Sequence, residues 1–391
     1  MRESVVHPDR QSVLTAVLPG TAMIAVTFGL GRYGYGLLLP DMRAELGVST
    51  GAAGVISSAA GVSYLVGNLA VVPLTSRRGS RVAVAAAALF AAVGMCLVAI
   101  SRGTASLALG VIVAGTAAGL ALPPYADIVA ARIPAERRKH SWSIISSGTG
   151  WGVAIAGPVA IVAGSSWRIG WLLFAVLALA AGALATVRAG PATNAERTRR
   201  TGPPWFRRPT AGALVVSAVL IGAGSAAWWA FSVDALRAES VGTTAARIIY
   251  ALTGAASLLG SFNAILVARL GLPGSYLTTA GGLGLAIIAF ALLTGHPILA
   301  AIAAAAFGAT YAAVVATQGL WSAQIFPEHP TAGVALFTTA LTAGTLVGPT
   351  VSGLTIEHLG YRPTFLSAGA LVLAALLVRP NQSTSRGTGD D

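Results

Sequence analysis

Arg32 is the residue whose type and position demand a chemical explanation first. It stands in the string FGLGRYGYGLLLPDM, inside an apolar run and eight residues before Pro40, about 12 Å from that end of a helix rising about 1.5 Å per residue. An arginine in hydrocarbon costs at least about 2.5 to 3.5 kcal/mol on insertion scales, so it should turn inward and find a partner. A planar guanidinium can hold a carboxylate or phosphate through two parallel hydrogen bonds, which makes Arg32 a candidate anion anchor. Snorkelling outward, or bonding to backbone carbonyls, is the structural alternative. Tyr33 and Tyr35 flank it, and Trp228 and Trp229 stand at a matching depth in a later run. The four could wall a site for an aromatic or amphipathic solute, or form an interfacial aromatic belt. Tyr64, Asn68, Trp151, Tyr311, Gln318 and Trp321 are further candidates at middle depths, though bonds between helices explain such residues equally well.

Other chemistries find little support. Gly29, Gly31, Gly34 and Gly36 contain the spacing GxGxxG, but a dinucleotide site needs a strand, a turn and then a helix, and these glycines lie inside one apolar helix. They serve helix packing, as do the GxxxG pairs Gly115 to Gly119, Gly148 to Gly152 and Gly344 to Gly348. The five histidines are scattered among loops and ends, with no HExxH, paired-carboxylate or nucleophile-elbow pattern. No enzyme, metal site or cofactor is expected, and the single cysteine, Cys96, has no disulfide partner.

The elements that must position these residues follow from composition. Of 391 residues, 55% are hydrophobic and 10% charged, with a mean hydropathy of +0.75, an apolar excess that a soluble domain could not cover with polar surface. A membrane-spanning helix needs about 20 mostly apolar residues. Twelve such runs are expected, at 13–39, 51–74, 82–101, 105–131, 142–165, 168–188, 210–233, 245–268, 275–294, 297–325, 332–354 and 362–379. The first is too long for the core of a signal peptide and is read as retained. Continuous runs instead of alternation over about ten residues exclude a β-barrel. The longest break, from Arg188 to Thr210, is rich in Pro and Arg. It divides the chain into an N-terminal six-helix bundle (1–190), a cytoplasmic linker (191–209) and a C-terminal six-helix bundle with a short tail (210–391).

The net charge of +12 is a topology signal once its residues are placed. Of 25 Lys and Arg, 18 fall on the side of the termini, six on the other, and Arg32 lies within the span. Such asymmetry puts both termini in the cytoplasm of a bacterial inner-membrane protein and sets the basic residues against lipid headgroups. Without a folded soluble surface, no nucleic-acid partner is expected.

Comparison of the two halves turns a helix count into an architecture. Arg43-Ala44-Glu45 recurs as Arg237-Ala238-Glu239, 194 positions later; Arg77-x-Gly79 recurs as Arg269-x-Gly271, offset by 192. Gly157-Pro158 recurs as Gly348-Pro349, offset by 191, and Trp167-Arg168 as Tyr361-Arg362, offset by 194. The expected fold is therefore an all-α polytopic membrane protein with twelve transmembrane helices in two pseudo-symmetric six-helix bundles. Duplicated halves that rock about a site at their interface are what alternating access requires.

Over its whole length the sequence resembles the major facilitator superfamily, and FGLGRYGYGLLLPDM is similar to the first helix of its bacterial YbfB/YjiJ branch. In VPLTSRRGSR the residues Arg77, Gly79 and Arg81 match the superfamily's motif after the second helix, while Val72 and Ser76 replace its Gly and Asp. The resemblance implies that Asp127, near the end of the fourth helix, pairs with Arg77 as a gate formed in the outward-open state; proton coupling is the alternative role for this acid. GWGVAIAGP, ending at Gly157 and Pro158, resembles the Gly-Pro motif typical of antiporters. The expected function is secondary active transport of a small organic anion, proton-coupled or exchanged, with Arg32 as anchor; a monomer suffices. Proton-driven efflux of hydrophobic drugs or metabolites is the alternative within that class. A non-transporting membrane receptor or polytopic enzyme is the alternative outside it.

Overall fold

A computed structural model describes residues 10–188, 211–327 and 330–380; the expected linker, 191–209, and the tail beyond 380 lie outside the described residues. Every regular element among the described residues is helical. Ten helical runs are long and apolar enough to cross a membrane, a shorter apolar helix follows at Tyr361–Leu377, and one run, Thr243–Leu293, has 51 residues and is broken within. Divided at that break, the chain forms twelve rods: α1 (10–46), α2 (Thr50–Arg78), α3 (Ser80–Ala99), α4 (Thr104–Arg132), α5 (Ala135–Val162), α6 (Trp167–Arg188), α7 (Ala211–Ala238), α8 (243–270), α9 (272–293), α10 (Pro297–Ile325), α11 (Pro330–Leu359) and α12 (Tyr361–Leu377).

Several ends differ from expectation, among them the start of α5 at Ala135 and the ends of α7 at Ala238 and α11 at Leu359, and two differences have a local cause. α1 does not stop at 39 but runs through Pro40 to Leu46, because Asp41 and Arg43 find partners on other helices and need not leave the membrane. It ends at Gly47, whose left-handed φ of 65° lets its N–H reach the carbonyl of Arg43 at 3.0 Å. Between α8 and α9 the expected loop shrinks to a single residue, Gly271 (φ 68°, ψ 174°), and Pro273 opens the next helix where its missing N–H costs nothing. α12 ends at Leu377, two residues early.

The packing repeats six helices on. α3 lies against α4 and α6 as α9 lies against α10 and α12, and α2 meets α4 as α8 meets α10. Most of the contact between the halves comes from three pairs: α1 with α7, α2 with α11, and α5 with α8. Close approach rests on small residues, the device that helices use in lipid, where apolar burial gives no net drive. All three GxxxG pairs act inside a half: Gly115 and Gly119 face the backbone of α2, Gly148 and Gly152 that of α1, and Gly344 and Gly348 that of α7. They are scaffold. Arg10 and Leu377 lie at one end of the bundle, the near end, and α1 turns into α2 at the other, the far end.

Candidate functional site

The middle of α1 is wound as a π-helix over Ala25–Tyr33, between α-helical Arg10–Ile24 and Gly34–Leu46. Such wide turns are rare and frequently sit at functional sites. Here the winding is compatible with a tight contact: Gly29 lies so close to the backbone of Gly152 on α5 that a side chain would not fit. Arg32 falls in the last turn of this segment and lines a cavity between the halves together with Tyr33, Tyr35, Ser57, Val111, Trp229, Thr345 and Pro349. The cavity has a volume of about 40 Å³. That is room for a few waters and far below the roughly 300 Å³ of a small-molecule pocket. The site is contracted, and a solute must widen it.

The guanidinium is held on three sides. Its Nη2 donates to the hydroxyl of Thr345 at 3.2 Å, its carbon lies 4.8 Å from the ring centre of Tyr64, and Tyr33 is 5.8 Å away. No carboxylate stands within ion-pairing distance of Arg32 among the described residues. Tyr33 in turn lies against Trp229, ring centres 4.2 Å apart and tilted by 36°, and its carbonyl accepts from the Tyr250 hydroxyl at 2.7 Å.

From this level to the far end the halves are joined by a ladder of polar contacts. Ser58 meets Thr350 through both backbone N–H (3.2 Å) and hydroxyl (2.7 Å). Arg247, buried on α8, donates to Asp41 at 2.9 Å and to the carbonyls of Ala160 and Gly164. Arg43 on α1 pairs with Asp234 on α7, whose carboxylate also accepts from Tyr361 at 2.7 Å. The Glu357 carboxylate accepts from the N–H of Gly51 at 3.0 Å, at the first turn of α2, where the helix dipole favours a negative charge. Toward the near end the same face of α2 loses its partner. Gly54 and Gly61 are pressed on α11, yet Leu69 and Val72, further along that face, are 76% and 63% exposed. Ala335 and Thr339 on the corresponding face of α11 are exposed too. The molecule is closed at the far end and parted at the near end.

The candidates read from sequence divide accordingly. Arg32, Tyr33, Tyr35, Trp229 and Pro349 line the cavity and Tyr64 backs it, although the Tyr35 hydroxyl is occupied by the carbonyl of Ala53 at 3.1 Å. Trp228 is instead in the core of the second half, stacked on Phe307 at 4.2 Å and 9°. Tyr311 forms a layer behind Trp229, ring centres 5.4 Å apart. Gln318 and Trp321 belong to a buried cluster within that half: Gln318 donates to Ser217 at 2.8 Å, Ser217 bonds Tyr276, and Trp321 meets the Tyr276 ring edge-on at 5.5 Å. Asn68 is half-buried on α2 and outside the cavity. Trp151 is half-exposed on a stripe with Ile144, Ile155 and Val162 that reaches the far end of α5, the pattern of a lipid-facing surface.

Among the gating candidates, Gly157 lets α5 approach the carbonyl of Arg247 on α8, while Pro158 is exposed beside it. Gly348 packs on Ala223 and Ala226 within the second half. Gly79 (φ 82°) makes the turn from α2 to α3, and Arg77, Arg81 and Asp127 are exposed. No ion pair joins Asp127 to Arg77 among the described residues. Sequence reasoning missed Thr345 and Arg247, which give no local signal. Asp234 is legible as the repeat partner of Asp41, 193 positions earlier, but that match reads it, like Glu357, only as a loop or interface charge.

Comparison with known proteins bears on what this arrangement does. A family described as "Uncharacterised MFS-type transporter YbfB" matches residues 24–379. A chloramphenicol resistance protein of Streptomyces lividans is 28% identical over 388 residues, covering 91% of this chain and 93% of that one. In fold, the chain is similar to a bacterial homologue of the human lysosomal transporter Spinster, solved inward-facing and unoccupied (TM-score 0.78, 14% identity, 95% and 96% of the two chains). It is also similar to a D-xylose–proton symporter (TM-score 0.75, 15% identity, 94% and 97%). A family match from α1 to the last described residues, over two half-molecules that meet at a central cavity, means that the chain belongs to the YbfB-type family of the major facilitator superfamily, as a secondary transporter of a small solute working by alternating access, and is no enzyme.

Proposed function

We propose that the transported solute is a small organic anion, exchanged or moved with protons, and that Arg32 holds its charge. The observation that carries this reading is a guanidinium on the central cavity with no carboxylate beside it among the described residues, bonded only to a neutral hydroxyl. An arginine so placed is worth its insertion cost if a solute completes its partners. The cavity's other walls are aromatic or small and apolar, which suits a flat apolar body behind the charged group. The excess of basic residues at the near end supports a cytoplasmic placement of both termini, in a bacterial inner membrane, so that the present conformation opens inward.

Purified protein in liposomes should exchange labelled benzoate, a flat monocarboxylate. Arg32→Ala should lower that exchange by at least about tenfold, the value of one charge-assisted hydrogen bond, and Arg32→Lys should restore little because it lacks the planar fork. Undiminished exchange in a folded Arg32→Ala protein overturns the assignment.

A second reading, efflux of hydrophobic drugs, is favoured by the relative named for chloramphenicol resistance. Cells overproducing the protein would then gain resistance that survives Arg32→Ala. Broad protection against cationic dyes would count against an anion carrier.

A further inference from the structure

The bond between Arg32 and Thr345 joins residues 313 positions apart, one on α1 and one on α11, and so links the two halves at the level of the cavity. Its geometry is directional. The Thr345 hydroxyl gives its own proton to the carbonyl of Thr342, one turn earlier, at 2.9 Å. The oxygen is left with lone pairs only, and one of them receives the guanidinium. The face of Tyr64 also covers the guanidinium, but that residue and Arg32 both belong to the first half and travel together. Thr345 is the partner that comes from the other half.

A carrier that returns empty must close around Arg32 without an anion, and an uncompensated charge in a dry cavity is expensive. We propose that the Thr345 hydroxyl is the stand-in ligand of the empty carrier: it accepts from Arg32 when no solute is present and yields that N–H to the solute's carboxylate when one arrives. This inference rests on the reading of Arg32 as the anion anchor. It assigns Thr345 a positioning role in one half of the cycle only. Exchange uses the loaded carrier in both directions and does not need the hydroxyl. Net transport includes the empty return and does. Since a neutral hydroxyl compensates a guanidinium less well than a carboxylate, native exchange should outrun native net transport.

Full-length protein in liposomes loaded with labelled benzoate supplies both readouts: efflux into buffer with unlabelled benzoate measures exchange, and efflux into benzoate-free buffer measures net transport. Thr345→Val preserves shape and removes the acceptor. It should lower the ratio of net efflux to exchange about tenfold, the loss of one bond to a charged group acting on one limb of the cycle. Thr345→Ala should give the same split, and Thr345→Ser should restore the native ratio. A net-to-exchange ratio in Thr345→Val and Thr345→Ala equal to that of the native protein, whether both rates are unchanged or both fall together, overturns the role of Thr345. Native protein that fails to exchange benzoate, or Arg32→Ala that exchanges it at the native rate, overturns the anion-anchor reading itself and this inference with it.

Discussion

A charged side chain buried across an interface does two jobs: it satisfies its partner and it ties two bodies together. Asp234 does both, receiving Arg43 from the first half and Tyr361 from its own. Asp234→Asn removes the charge and keeps the shape. Losing a hydrogen bond to a charged group should cost the far-end-closed state about 2 kcal/mol, a shift of about thirtyfold toward the state open at the far end. Labelling of Ser57→Cys, a cavity position, by an impermeant maleimide applied to the far face in a Cys96→Ser background should accelerate accordingly. An unchanged labelling rate would mean that the pair does not hold the far end shut. The adjacent tryptophans show how finely residue-scale roles divide. Successive helical residues point about 100° apart, so Trp229 reaches the cavity and Trp228 stacks on Phe307 in the core.

Between helices, glycines separate contacts that must persist from contacts that must open. Gly119 faces the backbone of α2 within the first half, whereas Gly54 faces the carbonyl of Pro349 across the interface of α2 with α11. Overpacking a close helix contact costs about 1 to 3 kcal/mol. Gly119→Leu should therefore lower the thermal stability of the protein. Gly54→Leu should leave unfolding nearly unchanged, because the affected contact is absent in the far-end-open state, yet reduce transport by at least about tenfold by blocking closure. Thermal unfolding and liposome flux measured on both variants check the distinction. If both lose stability alike, the α2–α11 contact is part of the permanent scaffold.

For the molecule as a whole, the helix packing of the first half is repeated in the second, and the contacts between halves are concentrated on three helix pairs. Two bodies with their own cores should not need a covalent link between them. Residues 1–200 and 201–391, co-expressed as separate chains, should copurify and retain transport in liposomes, whereas either alone should give none. Failure to copurify would show that the 191–209 connection holds the halves in register.

Much of this was readable from residues alone. Hydropathy dictates twelve apolar segments because each must satisfy its backbone inside lipid, and the near-constant offsets of Arg43-Ala44-Glu45, Gly157-Pro158 and Trp167-Arg168 disclose the duplication. Arg32 declared itself through the cost of a charge within such a segment. Tertiary structure alone decided what completes it: Thr345, Arg247 and Asp41 acquire their roles from partners 206 to 313 positions away, across two bodies whose mutual orientation no local pattern encodes. The same holds for Trp151, Gln318 and Trp321, whose types fit a binding site and whose helix faces leave the first half-exposed outside the cavity and the other two in the core. Apolar length and periodicity are properties of one helix, so the chain states them; which faces meet depends on the packing of all twelve, and only the assembled molecule fixes it.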